Sequence, residues 1–456
     1  MPLQKNQVLT LRVERLSSDG SGVAHSPDGE TVFIPGAAPG DEARVRIVKD
    51  CKRYAFGILD EVLTPSPDRI PVDCAVAGPC GGCSLRHLDY AAELRAKQEN
   101  VADAFARIGG LDVPVLPIVG SPEVNRYRNK VQFPVGVDKS GKPCIGFYAG
   151  RTHRIVPCPD CRLQPGVLNE IGNALCAFFA EKGIQPYSEE TGRGLVRHIF
   201  LRRGAHSGQI MVCLVCTRAR LPYAEELCTR LKAQFAEITT ILLNVNAKNT
   251  NVILGTETHT LYGPGYIEDT LCGVPVQLGP LSFYQVNTLA AEQLYGIAAQ
   301  YAQLTPDDLL LDLYCGMGTI GLSMAAHCRE LIGVEIVPEA IESAKANAAR
   351  MGADVAAKSR FFCADAGQAA TRLAAEGLHP DIVMLDPPRK GCDEATLSAV
   401  VRMSPRRVVY VSCNPATAAR DAAWLEQNGY HAEKVQPVDL FPRTRHCECV
   451  LSFSKV

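Results

Sequence analysis

A cysteine near the end of the chain has the setting of a nucleophile. Cys413 follows an apolar run at 408–411 that predicts a buried parallel strand, and it precedes Pro415, which suits the first turn of a helix. Open α/β sheets bind ligands at the carboxyl ends of their strands, and a helix N-terminus favours the thiolate of a nearby cysteine. Taken alone, Cys413 fits a buried core position equally well, because cysteine is among the most buried residue types.

A second group of cysteines has the spacing of a metal site. Three of them fall within ten positions: Cys74, Cys80 and Cys83. Gly81 and Gly82 allow the tight turn that presents two of the sulfurs to one centre, and Cys158 and Cys161 are both available as the fourth ligand of a closed site. The spacing predicts a metal site and leaves zinc and an iron–sulfur cluster both open.

The C-terminal half places glycines and carboxylates at the ends of predicted strands. The strand at 308–314 runs into the glycine-rich turn 315–321, and the strand at 331–335 ends on Glu335. A carboxylate in this position can bind both ribose hydroxyls of an adenosine cofactor. A further strand ends on Asp386. Strands that alternate with helices predict a doubly wound parallel sheet, which brings these ends to one edge.

Residues 7–62 have the pattern of a small β-barrel, with short alternating strands separated by glycine-containing turns. Four residues of one turn are candidates for binding single-stranded nucleic acid, and a solvated charged loop explains them equally well: Lys49, Lys52, Arg53 and Tyr54. The order of the strands and turns resembles a TRAM domain, a small RNA-binding barrel found on several RNA-modifying enzymes.

The middle of the chain predicts a mixed α/β domain, preceded by a helix at 90–108. Basic residues in this region suit phosphate contacts and base stacking, with a solvated sheet face as the alternative: Arg193, Arg197, His198, Arg202 and Arg203. Cys213 and Cys216 lie three positions apart in a predicted strand, and this spacing sends their side chains to opposite faces. Both are therefore predicted to be core residues.

Length and composition limit the class of protein. A chain of 456 residues is long enough for two or three domains, and 46% hydrophobic residues indicate a globular fold. With a formal net charge of −2, a nucleic-acid partner must be held by local basic patches. Nineteen cysteines, with no apolar leader and no segment of roughly 18–20 apolar residues, favour a reducing cytoplasmic setting and no membrane partner.

Five motifs occur together and in order: Ser282-Phe283-Tyr284-Gln285-Val286-Asn287, Leu311-Asp312-Leu313-Tyr314-Cys315-Gly316-x-Gly318, Asp386-Pro387-Pro388-Arg389-Lys390-Gly391, Ser412-Cys413-Asn414-Pro415 and Pro442-x-Thr444-x-His446-x-Glu448-x-Val450. In this combination the chain resembles, over essentially its whole length, the S-adenosylmethionine-dependent RNA uracil-5-methyltransferase family. The resemblance is to the form of that family that carries a TRAM domain and an iron–sulfur cluster.

The resemblance implies roles for individual residues. Cys413 is the nucleophile that adds to C6 of uracil, and Glu448 is the base that removes the C5 proton after methyl transfer. Four residues match the cofactor positions: Gln285, Tyr314, Glu335 and Asp386. Asp386 is also a candidate contact to the uracil. A [4Fe–4S] cluster is expected on four cysteines, with the extra Cys158 leaving the fourth ligand open: Cys74, Cys80, Cys83 and Cys161.

We therefore expect a multidomain protein. Residues 1–62 form a TRAM or OB-like β-barrel that binds RNA, residues 63–277 form a central α/β domain with the cluster and an RNA-binding surface, and residues 278–456 form a Rossmann-like class I methyltransferase domain. The expected substrate is 23S rRNA, with tRNA as the alternative, and we expect a monomer.

Two other classes of protein fit less well. A radical S-adenosylmethionine enzyme needs Cys-x3-Cys-x2-Cys, whereas the spacing here is Cys-x5-Cys-x2-Cys. An RNA-binding protein with a vestigial catalytic half would be expected to lack Cys413 or Glu448, and both are present.

Overall fold

The computed structural model describes residues 3–150, 152–248 and 250–456. Residues 1 and 2, which begin the predicted barrel domain, and residues 151 and 249 of the predicted central domain lie outside the described part. Among the described residues, no helix is long and apolar enough to cross a membrane.

The first five strands close into a barrel, as the sequence predicts. They are β1 (Val8–Leu16), β2 (Ser21–His25), β3 (Thr31–Pro35), β4 (Glu42–Asp50) and β5 (Tyr54–Thr64). Their order around the barrel is β1-β2-β3-β5-β4. Successive side chains of a strand point to opposite faces, so Leu11 and Val13 of β1 meet Val45 and Ile47 of β4 in the barrel core.

Two helices follow the barrel: α1 (Ala77–Cys80) and α2 (Tyr90–Ala104), the second continuing into a π-helical turn at Phe105–Gly109. Asp89 caps α2, because its Oδ1 accepts a hydrogen bond from the backbone N–H of Ala92 at 2.6 Å. The end of α2 packs against the C-terminal sheet, where Val101 and Phe105 are buried in its core. Parallel bridges from Val115 and Val119 extend this contact.

The central region is a seven-stranded sheet in the order β12-β11-β10-β9-β6-β7-β8. Its elements are β6 (Lys130–Val137), β7 (Pro143–Tyr148), β8 (Ile155–Pro157), α3 (Gly166–Lys182), β9 (Val196–Arg203), β10 (Ile210–Cys216), α4 (Ala224–Gln234), β11 (Ile238–Val245) and β12 (Glu257–Tyr262). Cys213 and Cys216 are fully buried and contribute to cores on opposite faces of the sheet. Their predicted role as core residues is confirmed.

A hairpin of β13 (Ile267–Leu271) and β14 (Val274–Leu278) leads into the C-terminal region. This region contains α5 (Thr288–Ala302), β15 (Leu309–Leu313), α6 (Thr319–Met324), a 3-10 turn at Ala325–His327, β16 (Glu330–Glu335), α7 (Pro338–Arg350), α8 (Ala353–Lys358), β17 (Ser359–Cys363), α9 (Ala366–Ala375), β18 (Ile382–Leu385), α10 (Glu394–Met403), β19 (Arg407–Ser412), α11 (Pro415–Gln427), β20 (Tyr430–Val438) and β21 (Glu448–Lys455).

The C-terminal sheet has the order β17-β16-β15-β18-β19-β21-β20. The first five strands are parallel, whereas β21 runs antiparallel to both β19 and β20. Buried clusters cover both faces, which explains the continuous apolar runs of these strands. The predicted doubly wound sheet is confirmed, and β21 adds an antiparallel strand that reaches back to the ligand-binding edge.

Candidate active site

Neighbouring strand ends form one edge of the C-terminal sheet. The strands β16, β15, β18 and β19 are parallel neighbours, so their carboxyl ends lie side by side. These ends carry the glycine-rich turn 315–321 and three predicted site residues: Glu335, Asp386 and Cys413. The structure therefore brings together residues that are up to 98 positions apart in the sequence, from 315 to 413.

The glycine-rich turn has a left-handed backbone, which glycine adopts most easily. Tyr314, Gly316 and Gly318 all have positive φ, at 65°, 56° and 79°. A Cβ atom at Gly318 would lie 3.1 Å from the Leu322 side chain and 3.2 Å from Ala344, so space is also restricted there. The tight turn leaves backbone exposed to a ligand at the head of α6.

Glu335 is fixed at the end of β16 by backbone donors. Its Oε1 accepts hydrogen bonds from the N–H groups of Ile336 at 2.8 Å and Val337 at 3.0 Å. Its Oε2 accepts one from the Gly316 N–H at 3.2 Å. The carboxylate predicted to bind ribose is thus tied to the glycine-rich turn, which fixes the distance between the two.

Asp312 is a buried carboxyl group that the sequence analysis did not assign to the site. It lies in β15 with 1% exposure, and its Oδ2 accepts a hydrogen bond from the Gly321 N–H at 3.0 Å. Burial raises the pKa of Asp312 to about 8. An acidic residue in the middle of the apolar run 309–313 was the available sequence signal.

Tyr295 of α5 is a second residue that the sequence analysis missed. It is almost fully buried beside three residues of the site. Burial, and next the charge of Asp386, raise the pKa of Tyr295. Hydrogen bonds with Thr319 and Gln285 act in the opposite direction. Tyr295 therefore lies where two predicted cofactor residues, Gln285 and Asp386, meet the start of α6.

Tyr314, the fourth predicted cofactor residue, directly follows β15. It is partly exposed, and its hydroxyl lies 3.4 Å from Oγ1 of Thr396 in α10. Burial raises the pKa of Tyr314, so its hydroxyl stays protonated at neutral pH. Its backbone therefore leads into the glycine-rich turn, while its hydroxyl faces the start of α10.

Cys413 and Glu448 meet across an antiparallel pair of strands. Val411 pairs with Val450, and Ser412 pairs with Cys449. Continuing this register by one residue sets Cys413 opposite Glu448. Cys413 lies just past the end of β19, and the charge of Glu448 acts on its thiol, so the predicted nucleophile and base are near each other.

Burial and neighbouring charges shift the pKa values of Cys413 and Glu448. Burial raises the pKa of Glu448 to about 8, with Asp386 adding to the rise and Arg389 opposing it. Burial also raises the pKa of Asp386 to about 7. The pKa of Cys413 is raised to about 11 by burial, then by Glu448 and Asp386, while Arg389 lowers it. The predicted preference of a helix N-terminus for the thiolate is thus outweighed by burial and two carboxyl groups.

The turn between β19 and α11 is locked to the loop that follows β18. Asn414 caps α11, since its Oδ1 accepts from the Ala416 N–H at 3.2 Å. Its Nδ2 donates to the backbone oxygen of Arg389 at 3.0 Å, and Thr417 Oγ1 donates to the same oxygen at 3.3 Å. These bonds hold Cys413 and the 386–391 loop in a fixed relation.

An arginine expected at the RNA surface instead holds the loop that carries Gln285. Arg202 is 1% exposed and donates from Nη1 to the backbone oxygen of Gly279 and from Nη2 to that of Ser282, both at 2.7 Å. Arg197 and His198 are also buried. The predicted RNA contact is wrong for these three residues, because β9 lies in the middle of its sheet with both faces covered.

The predicted metal-binding cysteines meet at one cavity of about 250 Å³. Its lining includes five thiols: Cys74, Cys80, Cys83, Cys158 and Cys161. A hydrogen bond with Cys158 is the largest effect on Cys161 and lowers its pKa to about 7. Within the described residues, no group of three or more His, Cys, Asp or Glu side chains is arranged to hold a single metal ion.

Comparison with known proteins identifies the family of this chain. Residues 223–456 match the family described as tRNA (Uracil-5-)-methyltransferase, and residues 2–59 match the TRAM domain. An uncharacterized RNA methyltransferase of Halalkalibacterium halodurans is 43% identical over 450 residues, which cover 98% of this chain and 97% of the relative. The chain belongs to this family of RNA (uracil-5-)-methyltransferases.

A second relative and a solved structure are also similar to this chain over nearly its whole length. An uncharacterized RNA methyltransferase of Bacillus cereus is 41% identical over 456 residues, covering 100% of this chain and 98% of that protein. The crystal structure of Pyrococcus abyssi tRNA (uracil-54, C5)-methyltransferase in complex with S-adenosyl-L-homocysteine superposes with a TM-score of 0.78 at 27% identity, covering 98% of this chain and 100% of that chain. The protein is an S-adenosylmethionine-dependent RNA (uracil-5-)-methyltransferase with an N-terminal TRAM barrel.

Proposed function

We propose that this enzyme methylates C5 of uridine in 23S rRNA through a covalent bond between Cys413 and C6 of the uracil, with Glu448 as the base. One observation carries the proposal. The antiparallel register of β19 and β21 sets Cys413 opposite Glu448, and the charges of Asp386 and Arg389 act on both.

The first chemical step is addition of the Cys413 sulfur to C6. C5 of uracil is too weak a nucleophile to attack a sulfonium methyl group, but a thiolate at C6 converts the ring into an enolate whose C5 is nucleophilic. The thiol must first lose its proton, and the raised pKa of Cys413 makes this costly at neutral pH. Arg389 offsets part of that cost, because its positive charge lowers the same pKa.

Methyl transfer requires the methyl group of S-adenosylmethionine and C5 of the uracil to be held in line. S-adenosylmethionine supplies an electrophilic methyl group on a positively charged sulfur. We assign its binding to four residues at or near the strand ends: Gln285, Tyr314, Glu335 and Asp386. Glu335 takes the ribose, because its carboxylate is fixed beside the glycine-rich turn. We propose that Asp386, whose charge acts on Cys413, also contacts the uracil.

Glu448 then removes the C5 proton. The electrons of the C5–H bond form the C5–C6 double bond, and the Cys413 thiolate leaves. A carboxyl group with a pKa of about 8 is well matched to accepting a proton near neutral pH. Because only the ionised form is a base, this step is expected to accelerate as pH rises through about 8.

We propose that the cysteine-lined cavity holds a [4Fe–4S] cluster. Arg86, 3% exposed, lines the same cavity and has two buried nitrogens, Nε and Nη2, without a hydrogen-bond partner among the described residues. Sulfide and thiolate sulfurs would accept from them. We assign the cluster to Cys74, Cys80, Cys83 and Cys161, because all four line the cavity and Cys161 matches the family position of the fourth ligand better than Cys158. When bound, the cluster ties the segment after the barrel to the central sheet.

The choice of 23S rRNA rests on the TRAM barrel together with the cluster cysteines, a combination that resembles the bacterial 23S rRNA enzymes. The second candidate is tRNA, because the Pyrococcus abyssi relative is described as a tRNA uracil-54 enzyme. In either RNA the target base has to leave its stack to reach Cys413. We further propose a cytoplasmic monomer with domains at 1–62, 63–277 and 278–456.

A tritium-release assay tests the reaction and the substrate together. RNA carrying uracil labelled with ³H at C5 is incubated with S-adenosylmethionine and either wild-type enzyme or Cys413→Ala. Release from 23S rRNA fragments alone, abolished by Cys413→Ala, is expected. Release from tRNA alone would contradict 23S rRNA as the substrate and leave the mechanism unchanged. Release by Cys413→Ala would refute the assignment of Cys413 as the nucleophile.

A further inference from the structure

The loop between β20 and β21, residues 439–447, leads directly into Glu448. Glu448 is the first residue of β21 and pairs with Val438, the last residue of β20. The position of the base therefore depends on how this loop is held. Arg443 within it has a φ of 68°, a conformation that side chains other than glycine rarely adopt. Contacts from outside the loop must maintain this backbone.

The buried ammonium group of Lys97 in α2 binds the start of the 439–447 loop. Lys97 Nζ donates to Glu93 Oε1 at 2.7 Å, to Asp439 Oδ1 at 2.8 Å and to the backbone oxygen of Phe441 at 3.2 Å. The side chains of Lys97, Glu93 and Asp439 are at most 1% exposed. Tyr90 of the same helix donates to the other oxygen of Asp439 at 2.8 Å.

The same helix holds the strained residue of the loop. Glu93 Oε1 accepts a hydrogen bond from the backbone N–H of Arg443 at 2.7 Å, and the Arg443 guanidinium lies 3.6 Å from Glu93 Oε2. Lys97 and Arg443 balance Glu93 and Asp439, so this buried group of four charges is neutral overall. Buried ion pairs contribute little net stability when compared with apolar packing, but they demand one geometry.

The loop is also joined to the cofactor side of the site. Asn287 Nδ2 donates to the backbone oxygen of Leu440 at 3.0 Å. Asn287 lies two residues after Gln285, which we assign to the cofactor. The contacts of α2 therefore set the loop, and with it Glu448, relative to both reacting groups.

We propose that Lys97 and Glu93 are positioning residues for removal of the C5 proton, acting through the 439–447 loop on Glu448. This inference rests on the proposed role of Glu448 as the base. Methyl transfer precedes proton removal, so a displaced Glu448 leaves the methylated base attached to Cys413. The expected signature is a covalent RNA–protein adduct that forms at a normal rate and resolves slowly.

The test uses the full-length enzyme with the paired replacement Glu93→Leu and Lys97→Met, which removes one charge of each sign. Two labels separate the steps: a methyl label on S-adenosylmethionine follows transfer, and ³H at C5 follows proton removal. Single-turnover methyl transfer should stay within about threefold of wild type, while tritium release slows by about 10²-fold, the size of effect that a displacement of about 1 Å causes. The adduct should survive denaturing electrophoresis.

Three further variants complete the test. Arg95→Gln changes an exposed residue of the same helix whose ion-pair partner is Asp68, and should match wild type in both labels. Tyr90→Phe removes the hydrogen bond that Tyr90 donates to Asp439 and the one that it accepts from the Ser121 N–H. It should slow tritium release by about threefold without affecting methyl transfer, which keeps the proposal testable if the paired replacement does not fold. Glu448→Gln should accumulate the same adduct.

Parallel loss of methyl transfer and tritium release in the α2 variants, without adduct, would mean that the buried charges support only the fold and would overturn the inference. A paired variant that releases tritium at the wild-type rate would also overturn it. If Glu448→Gln released tritium at the wild-type rate, the assignment of Glu448 as the base would be refuted. This outcome does not depend on any change in α2.

Discussion

Replacement of Glu448 by glutamine is expected to make the Cys413 thiol more acidic. The pKa of Cys413 is raised to about 11 by burial and, in second place, by the negative charge of Glu448. Glutamine keeps the size of the side chain and removes the charge. The thiolate then loses a repulsive neighbour, so the pKa of Cys413 falls and its reactivity at a fixed alkaline pH rises.

The magnitude follows from Coulomb's law. Two unit charges about 5 Å apart at an effective dielectric of about 20 interact by about 3 kcal/mol, or about 2 pKa units. At pH 9 about one wild-type thiol in a hundred is ionised, given a pKa of about 11. Glu448→Gln is therefore expected to react about 10- to 50-fold faster at pH 9.

The pH dependence makes the test sharper. Because the pKa of Glu448 is about 8, its charge is present above pH 9 and largely absent below pH 7. The rates of wild type and Glu448→Gln should therefore converge at low pH and diverge at high pH. Arg389→Gln should have the opposite sign and slow the reaction, because the guanidinium lowers the pKa of Cys413.

The assay is alkylation by iodoacetamide from pH 6 to 10, with the modified peptides quantified by mass spectrometry. Cys363 is exposed and serves as the internal reference thiol in every sample. If Cys413 of Glu448→Gln were alkylated at pH 9 at an unchanged or slower rate, with Cys363 unaffected, the inference that Glu448 lies close to Cys413 would be refuted. A difference that persists below pH 7 would refute the assignment of its cause to the Glu448 charge.

Three other perturbations test separate parts of the structure. Arg202→Met removes the two hydrogen bonds that hold the 279–287 loop, and should weaken S-adenosylmethionine binding, measured by calorimetry, by about 1–3 kcal/mol with RNA affinity unchanged. Enzyme purified without oxygen should contain about four irons per chain, as expected for a [4Fe–4S] cluster; Cys158→Ser should keep them and Cys161→Ser should lose them. Phe105→Ala should lower the free energy of unfolding in urea by about 3–5 kcal/mol, because its ring is buried in the C-terminal core.

Each of these three predictions has a result that would contradict it. The exposed Arg193→Met is the control for Arg202→Met, and loss of RNA affinity in the Arg202 variant alone would restore the surface role predicted from sequence. Iron retained in Cys161→Ser and lost in Cys158→Ser would reverse the fourth ligand. A Phe105→Ala change below about 1 kcal/mol would mean that the turn after α2 is not part of the C-terminal core.

Much of the fold could be predicted because its signals are local. The apolar run before Cys413 forms β19, Pro415 begins α11, and Pro338 begins α7. Alternation at 8–13 and 43–48 identified barrel strands, since inward and outward residues of a half-buried strand differ in polarity. The strand-end residues Glu335 and Asp386 followed from the same reasoning.

Other assignments failed or were missed because they depend on distant neighbours. Arg202 has the sequence context of a surface arginine, yet β6 and β10 flank its strand and its guanidinium serves two buried carbonyls. Lys97 and Asp439 are 342 positions apart, and nothing in either local pattern pairs them. Asp312 was overlooked for the related reason that burial, which raises its pKa, is a property of the folded sheet.

The sequence by itself determined the order of strands and helices, the motifs at the strand ends and the family, because these depend on residue type and spacing along the chain. Only the tertiary structure decided that β21 returns antiparallel beside β19, so that Glu448 faces Cys413. It also decided the charge state of the site, because the pKa values of Cys413, Asp386 and Glu448 are set by burial and by charges that segments far apart in the sequence bring together.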